Sequence, residues 1–372
     1  CRASNPISAD VASKIAMFTN VPPKRVFSMH DRKSVYEIPE AMRQSGLDRE
    51  ILSVLNLHDR VDMAHEDRAR EKWISFTRRL NAPRARHVRI GVTGKYASLR
   101  DAYASIVKSV EHAATHLGCE AELVWVNTPE ITEDNVAARL ASLDGVIVPG
   151  GFGARGVEGK IACVRYCREK NVPYLGICLG FQVAVIEFAR NVMGLKDANS
   201  TEMDPNTRDP VISELPDQKK VEQLGASMRL GGQDVLLHAG SLAWHLFDRK
   251  DTARQRFRHR YEVDPSYVER LEAAGLIFSG RHPRYPIMQI LELPMTGTDA
   301  GREAEAHNRP THPFFLAGQF HPELIGGPLR PQPMFMGLLA AAIRRKYPDA
   351  DTPAWTRGQE GPIADLSPSS SS

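Results

Sequence analysis

The chain has 372 residues, 42% of them apolar and 25% charged, which is the balance of an ordinary globular protein with room for about two domains. Lys and Arg total 48 against 45 for Asp and Glu, a net of +3, so charge gives no case for a nucleic-acid or membrane partner. No apolar run reaches the ~18 residues of a membrane-crossing helix, and no signal-peptide pattern is read at the start.

The chain opens at Cys1 without an initiator Met and reads as a piece cut from a longer protein. Short elements follow: a helix over 9–18, a strand over 26–29, and one or two helices over 38–57 with Pro39 near their start. Residues 1–60 are too few for an independent α/β domain. The charged stretch 58–86 reads as a helix and linker, with the linker placed at 61–86. A clear alternation begins at His87. Strands are expected over 88–92, 121–126, 145–148 and 172–177, and helices over 101–116, 136–143, 159–169 and 181–191. In the first of those helices Ala102, Ile106, Val107, Val110 and Ala113 share a face. Strands alternating with helices predict an α/β fold with a doubly wound, mostly parallel sheet, whose ligands sit at the carboxyl ends of the strands.

Beyond residue 200 the pattern changes to short strands and irregular loops. Residues 295–311 are polar and aperiodic and read as a surface insertion. A last helix is expected over 333–345. The end, 348–372, closes in Ser-Pro-Ser-Ser-Ser-Ser and reads as a disordered tail, which leaves 87–347 as the main domain. The five cysteines, Cys1, Cys119, Cys163, Cys167 and Cys178, are odd in number and irregularly spaced, so they read as reduced thiols of a cytoplasmic protein. Cys163 and Cys167 fall one helical turn apart. A pair is two ligands short of a zinc site, so burial is expected there and no metal.

Three motifs carry chemistry. Gly176-Ile177-Cys178-Leu179-Gly180 lies between an apolar strand and an apolar helix, the setting of a nucleophile elbow. The flanking glycines permit the tight turn, and the N–H groups at the helix start favour a thiolate at Cys178. Gln319-Phe320-His321-Pro322-Glu323 follows an apolar run and places an imidazole two residues before a carboxylate, so that both can face the same way. His321 would take the thiol proton and Glu323 would orient it. Pro149-Gly150-Gly151-Phe152-Gly153 follows the strand at 145–148. Its glycines let N–H groups face a ligand, and with the N–H of Leu179 the Gly151 N–H would form an oxyanion hole. No Gly-Lys-Ser/Thr follows, which argues against a phosphate loop.

Together, and in this order, these motifs resemble the class I glutamine amidotransferases, a flavodoxin-like fold. The run from Pro149 to Lys160, with Asn199-Ser200-Thr201-Glu202, Met228-Arg229-Leu230-Gly231 and Arg258-His259-Arg260-Tyr261-Glu262, resembles the CTP synthase family in particular. Residues 1–60, from Cys1-Arg2 through Lys14 to His30-Asp31, resemble the end of that family's synthetase domain.

The resemblance implies glutamine hydrolysis that supplies ammonia for ATP-dependent amination of UTP to CTP. It implies that Phe152, Gln182, Glu202, Arg260 and Tyr261 hold glutamine, and that Phe152, Arg155 and Glu158 serve activation by GTP. Arg2, Lys14 and Asp31 would line a nucleotide site. ATP, UTP and Mg2+ are expected for the full-length enzyme, a homotetramer, with no cofactor bound by this chain alone.

There are departures: the P-loop, the magnesium ligands and most of the synthetase sheet are absent, Phe257 stands where the family typically has His, and 295–311 is unusual. Two alternatives stay open. One is another triad enzyme of the class, a γ-glutamyl hydrolase or the amidotransferase part of a GMP synthase. The other is a non-enzymatic amidotransferase-like module.

Overall fold

The structure is a computed structural model and describes residues 1–95, 100–214 and 229–357. Among these, no helix is long and apolar enough to cross a membrane. The chain divides into two compact units, with the boundary between Pro83 and Arg84.

In the first unit, β1 (Arg2–Ala3) pairs in parallel with β2 (Met29–His30). The strand expected over 26–29 is thus reduced to its end, because its partner is only two residues long. Helix α1 (Ala9–Thr19) starts at Ser8, whose hydroxyl accepts the Val11 N–H, and stops at Asn20 in the left-handed conformation. The helical stretch at 38–57 is two helices, α2 (Ile38–Gln44) and α3 (Leu47–Val54).

Helix α4 (Met63–Asn81) occupies most of the expected linker, yet it is part of this unit. Phe76 is buried edge-on against Tyr36, with ring centroids 5.2 Å apart. Trp73 donates its indole N–H to the Tyr36 carbonyl at 2.7 Å, and Arg70 forks onto Glu40 at 2.6 and 2.8 Å. Aromatic burial and a bidentate ion pair on one helix face explain why the charged composition of 61–86 did not produce a free connector.

The second unit is built on a nine-stranded sheet. Strands β3 (Arg86–Gly94), β4 (Cys119–Asn127), β5 (Gly145–Val148) and β6 (Tyr174–Ile177) are parallel, and β14 (Phe315–Gly318) joins them beside β6. The spatial order of this half is β4-β3-β5-β6-β14, the doubly wound flavodoxin-like arrangement.

Its continuous Val/Ile/Leu character follows from burial on both faces. One face carries α6 (Val136–Leu140), α7 (Val157–Glu169) and α8 (Leu179–Asn191). The other carries α5 (Ala104–Leu117) and the helix Pro333–Lys346. The stretch read as short strands and loops extends the sheet with four antiparallel strands in the order β13-β12-β9-β10. These are β9 (Arg229–Leu237), β10 (Thr252–His259), β12 (Ile277–Arg281) and β13 (Met288–Glu292). A small sheet of β7 (Ala198–Ser200), β8 (Asp209–Ser213) and β11 (Glu262–Val263) lies in the same unit.

Two further expectations change. The polar segment 295–311 contains the helix Asp299–Ala306, capped by Thr298, with Ala304 buried and a bridge between Met295 and His312. The tail expected from 348 packs as far as residue 357: Trp355 and Thr356 are buried, and Arg344 donates to the Thr352 and Thr356 hydroxyls at 3.0 Å each. Burial of one tryptophan and a guanidinium's hydrogen bonds outweigh a low-complexity ending. Residues 358–372 of that tail lie outside the described residues, as does Met228.

Cys163 and Cys167 are fully buried in the core, and burial pushes their thiols up, Cys163 to about 12.

Candidate functional site

Three strand ends converge. Cys178 follows β6 and caps α8 with φ 52° and ψ −100°, an unfavourable backbone for any residue with a Cβ. The turn is possible because its flanks have no side chains. A Cβ at Gly180 would meet the Val148 carbonyl oxygen at 2.0 Å, and one at Gly176 would meet Ala317 Cβ at 2.7 Å. β14 runs parallel to β6 with Gly318 opposite Ile177, and the Cys178 N–H donates to the Gly318 carbonyl at 2.8 Å. That register delivers the Gln319–Glu323 segment to Cys178.

His321 Nδ1 lies 2.8 Å from Glu323 Oε1, and the imidazole neighbours Cys178, since a Cβ on Gly150 would touch both. Burial works against the charged imidazole, but the neighbouring Cys178 and Glu323 outweigh it and lift His321 to about 10. The Cys178 Sγ sits 4.0 Å from the Arg258 carbonyl, to which a thiol donates, and 3.7 Å from Gln319 Nε2, which donates to sulfur.

The Gly-rich loop after β5 closes over this group. A Cβ on Gly150 would stand 2.9 Å from His321 Cε1 and 3.4 Å from Cys178 Cβ, so only glycine lets the loop approach. The same construction at Gly151 reaches Leu179 Cδ2 at 3.5 Å, so the loop passes beside the first residue of α8.

Beneath the loop lies Lys160, fully desolvated, its ammonium donating to the Pro149 carbonyl at 2.8 Å. Burial pushes this ammonium down to about 8, with Cys178 pulling the other way. Sequence reading passed over Lys160. Only the register of α7 turns its side chain inward, and charge composition gives no sign of that.

Several of the residues expected to hold glutamine are tied by hydrogen bonds to the Cys178 group or to the Gly-rich loop. Gln182 Nε2 donates to the Tyr261 carbonyl at 3.0 Å and to Gln319 Oε1 at 3.2 Å. Glu202 Oε1 accepts the Gly153 N–H at 2.9 Å. Partial burial raises the Tyr261 phenol, helped by Glu202 and Glu214 and opposed by Arg260, so these four groups are neighbours. Arg260 Nε is 3.9 Å from Glu214 Oε1. Behind them a fully buried Glu262 accepts from Arg229 Nε and faces His259 Nε2, both at 2.8 Å. This network fixes the segment carrying Arg260 and Tyr261.

Phe152 is 72% exposed, with the Lys95 ammonium 4.8 Å from its ring centroid, and Arg155 Nη2 donates to the Lys95 carbonyl at 3.4 Å. Glu158 is held elsewhere, by Arg190 at 2.8 Å. In the first unit Arg2 pairs with Asp31 at 3.6 Å, both well exposed, while Lys14 is exposed on α1 without a place in that pair.

Known proteins match this chain in both units. Residues 98–341 match the family described as glutamine amidotransferase class-I, and residues 1–57 match CTP synthase N-terminus. The CTP synthase of Archaeoglobus fulgidus is 40% identical over 92% of this chain and 59% of its own length. That of Pyrobaculum calidifontis is 41% identical over 92% of this chain and 60% of its own length. The chain therefore spans about three-fifths of these relatives. Among solved structures, the glutaminase domain of Trypanosoma brucei CTPS with bound acivicin matches with a TM-score of 0.61 and 34% identity, covering 70% of this chain and 95% of that one. The chain belongs to the class I glutamine amidotransferase family and is similar to CTP synthases over most of its length.

Proposed function

We propose that this chain is the glutamine-hydrolysing part of a CTP synthase, and that Cys178, His321 and Glu323 act as its catalytic triad. The observation that carries the reading is the strained Cys178 elbow beside an imidazole that Glu323 holds at 2.8 Å.

The raised proton affinity of His321 suits it to take the thiol proton of Cys178. Cys178 Sγ attacks the side-chain amide carbon of glutamine, and the oxyanion that develops is held by the Gly151 and Leu179 N–H groups. His321 gives its proton to the departing nitrogen, and the C–N bond breaks to release ammonia and leave a γ-glutamyl thioester. Water then loses a proton to His321 and attacks the thioester, which breaks to glutamate and the Cys178 thiolate.

In this account Glu202 binds the α-ammonium and Arg260 the α-carboxylate, with Gln182, Tyr261 and Phe152 lining the cleft. Phe152, Arg155 and Glu158 belong to a GTP-responsive loop, and Arg2, Lys14 and Asp31 to the nucleotide site of the whole enzyme. UTP, ATP and the homotetramer also belong to that whole enzyme. Its Mg2+ likewise belongs to that whole enzyme. The unpaired cysteines suit a cytoplasmic setting.

The test is glutamate release from glutamine by the purified chain, with and without GTP, beside Cys178→Ala. Cys178-dependent release supports the reading, and GTP stimulation ties it to CTP synthesis. Turnover retained in Cys178→Ala would refute it.

A further inference from the structure

We propose that Gln319 is a positioning residue for the Cys178 thiolate and that it couples the nucleophile to the substrate-binding wall. The inference rests on the Cys178 nucleophile proposed above. Gln319 is fully buried, and its backbone N–H is spent on the Gln289 carbonyl at 2.9 Å. Its carboxamide is the middle link of a chain whose polarity is fixed from one end.

The Tyr261 carbonyl can only accept, so Gln182 must turn its amide nitrogen toward it, at 3.0 Å. The second N–H of that nitrogen then points to Gln319 and is received by Oε1 at 3.2 Å. With its oxygen so engaged, Gln319 must present Nε2 to Cys178, and the nitrogen lies 3.7 Å from Sγ. An N–H donor aimed at sulfur stabilises the thiolate over the thiol. The Arg258 carbonyl, 4.0 Å from Sγ, favours the thiol instead, and the Gln319 amide offsets it. The chain also means that a displacement of Gln182 reaches the sulfur through two hydrogen bonds, and one of Tyr261 through three.

Gln319→Leu removes the donor, and Gln319→Glu keeps the shape but sets an acceptor against the sulfur. Gln182→Leu breaks the chain one link earlier. The readout is the pH profile of Cys178 alkylation by iodoacetamide, a small neutral reagent that needs no glutamine site, followed by peptide mass mapping to separate Cys178 from the exposed Cys1.

At pH 7 the Cys178 rate is expected to fall about tenfold in Gln319→Leu, further in Gln319→Glu and less in Gln182→Leu, with each profile displaced to higher pH. Folding is checked by thermal unfolding, and any folded member of the set decides the matter. Wild-type rates and an unmoved profile in a folded Gln319 variant would overturn the proposal. An inactive wild type in the glutamate assay, with the alkylation shifts intact, would refute the proposed hydrolysis and leave the amide chain standing.

Discussion

His321 Nδ1 and Glu323 Oε1 are 2.8 Å apart although the two residues are separated only by Pro322. The proline begins a single 3-10 turn, Pro322–Leu324, that brings the carboxylate back under the ring just after the strand ends. Glu323 is 10% exposed, and its other oxygen, Oε2, is buried without a partner, so this carboxylate has one task. Glu323→Gln is expected to lower kcat for glutamine at least about 100-fold, because the imidazole loses the group that orients it and holds its charge. Equal kcat values by glutamate assay would count against that role.

Gly150 and Gly180 separate function from folding. A methyl at Gly150 meets the His321 ring at 2.9 Å, whereas one at Gly180 meets a backbone carbonyl at 2.0 Å. Gly150→Ala should therefore retain a near-native melting temperature and lose most glutaminase activity. Gly180→Ala should lower the melting temperature sharply, since the β5 backbone cannot give way without opening the sheet. The contrary pattern, a stable Gly180→Ala and an unfolded Gly150→Ala, would show that the elbow is held in some other way.

Lys160 predicts a trade between stability and activity. Its ammonium sits at about 8 in the folded chain and at 10.5 when free, so the folding penalty is fully present below pH 8 and fades as pH rises from 8 to 10.5. Below pH 8 that penalty is of the order of 3 kcal/mol, partly offset by the bond to Pro149. Lys160→Met should melt no lower than wild type at pH 7, yet lose about tenfold in kcat as the loop above it loosens. A melt several degrees lower at pH 7 would show that the buried ammonium stabilises the fold.

His312 makes the fold acid-sensitive. Its Nδ1 accepts the Phe314 N–H at 3.0 Å, so Nε2 carries the proton and donates to the Cys167 carbonyl at 3.0 Å. Burial holds this histidine at about 4, against 6.5 when free. The unfolded chain takes up the proton first, so stability is intact above pH 6.5 and falls as pH drops toward 4. The loss is about 3 kcal/mol. Urea unfolding of wild type and His312→Gln between pH 7 and pH 4 should show a flatter curve for the variant, and parallel curves would contradict the assignment.

The parallel half of the sheet was legible because each strand is a short apolar run between amphipathic helices, and the elbow because Gly176, Cys178 and Gly180 announce a turn that no other spacing explains. The antiparallel half was not, because strands such as Thr252–His259 alternate exposed and buried residues with arginines on the open face, which reads as loop. The helix Met63–Asn81 was seen but set in a linker, since its charges are plain in the sequence and the burial of Phe76 against Tyr36 is not. At the site, the members of the proposed triad were found by their motifs. Lys160 and the Gln319 amide chain were missed, since they depend on which way a side chain turns rather than on what it is.

The central claim is that Cys178 is a glutamine-directed nucleophile, and intact-mass analysis after exposure to a chloroketone analogue of glutamine tests it most directly. The account predicts one adduct, mapped to Cys178, slowed by free glutamine and absent from Cys178→Ala. An unmodified chain, or an adduct confined to the exposed Cys1 and indifferent to glutamine, would contradict it.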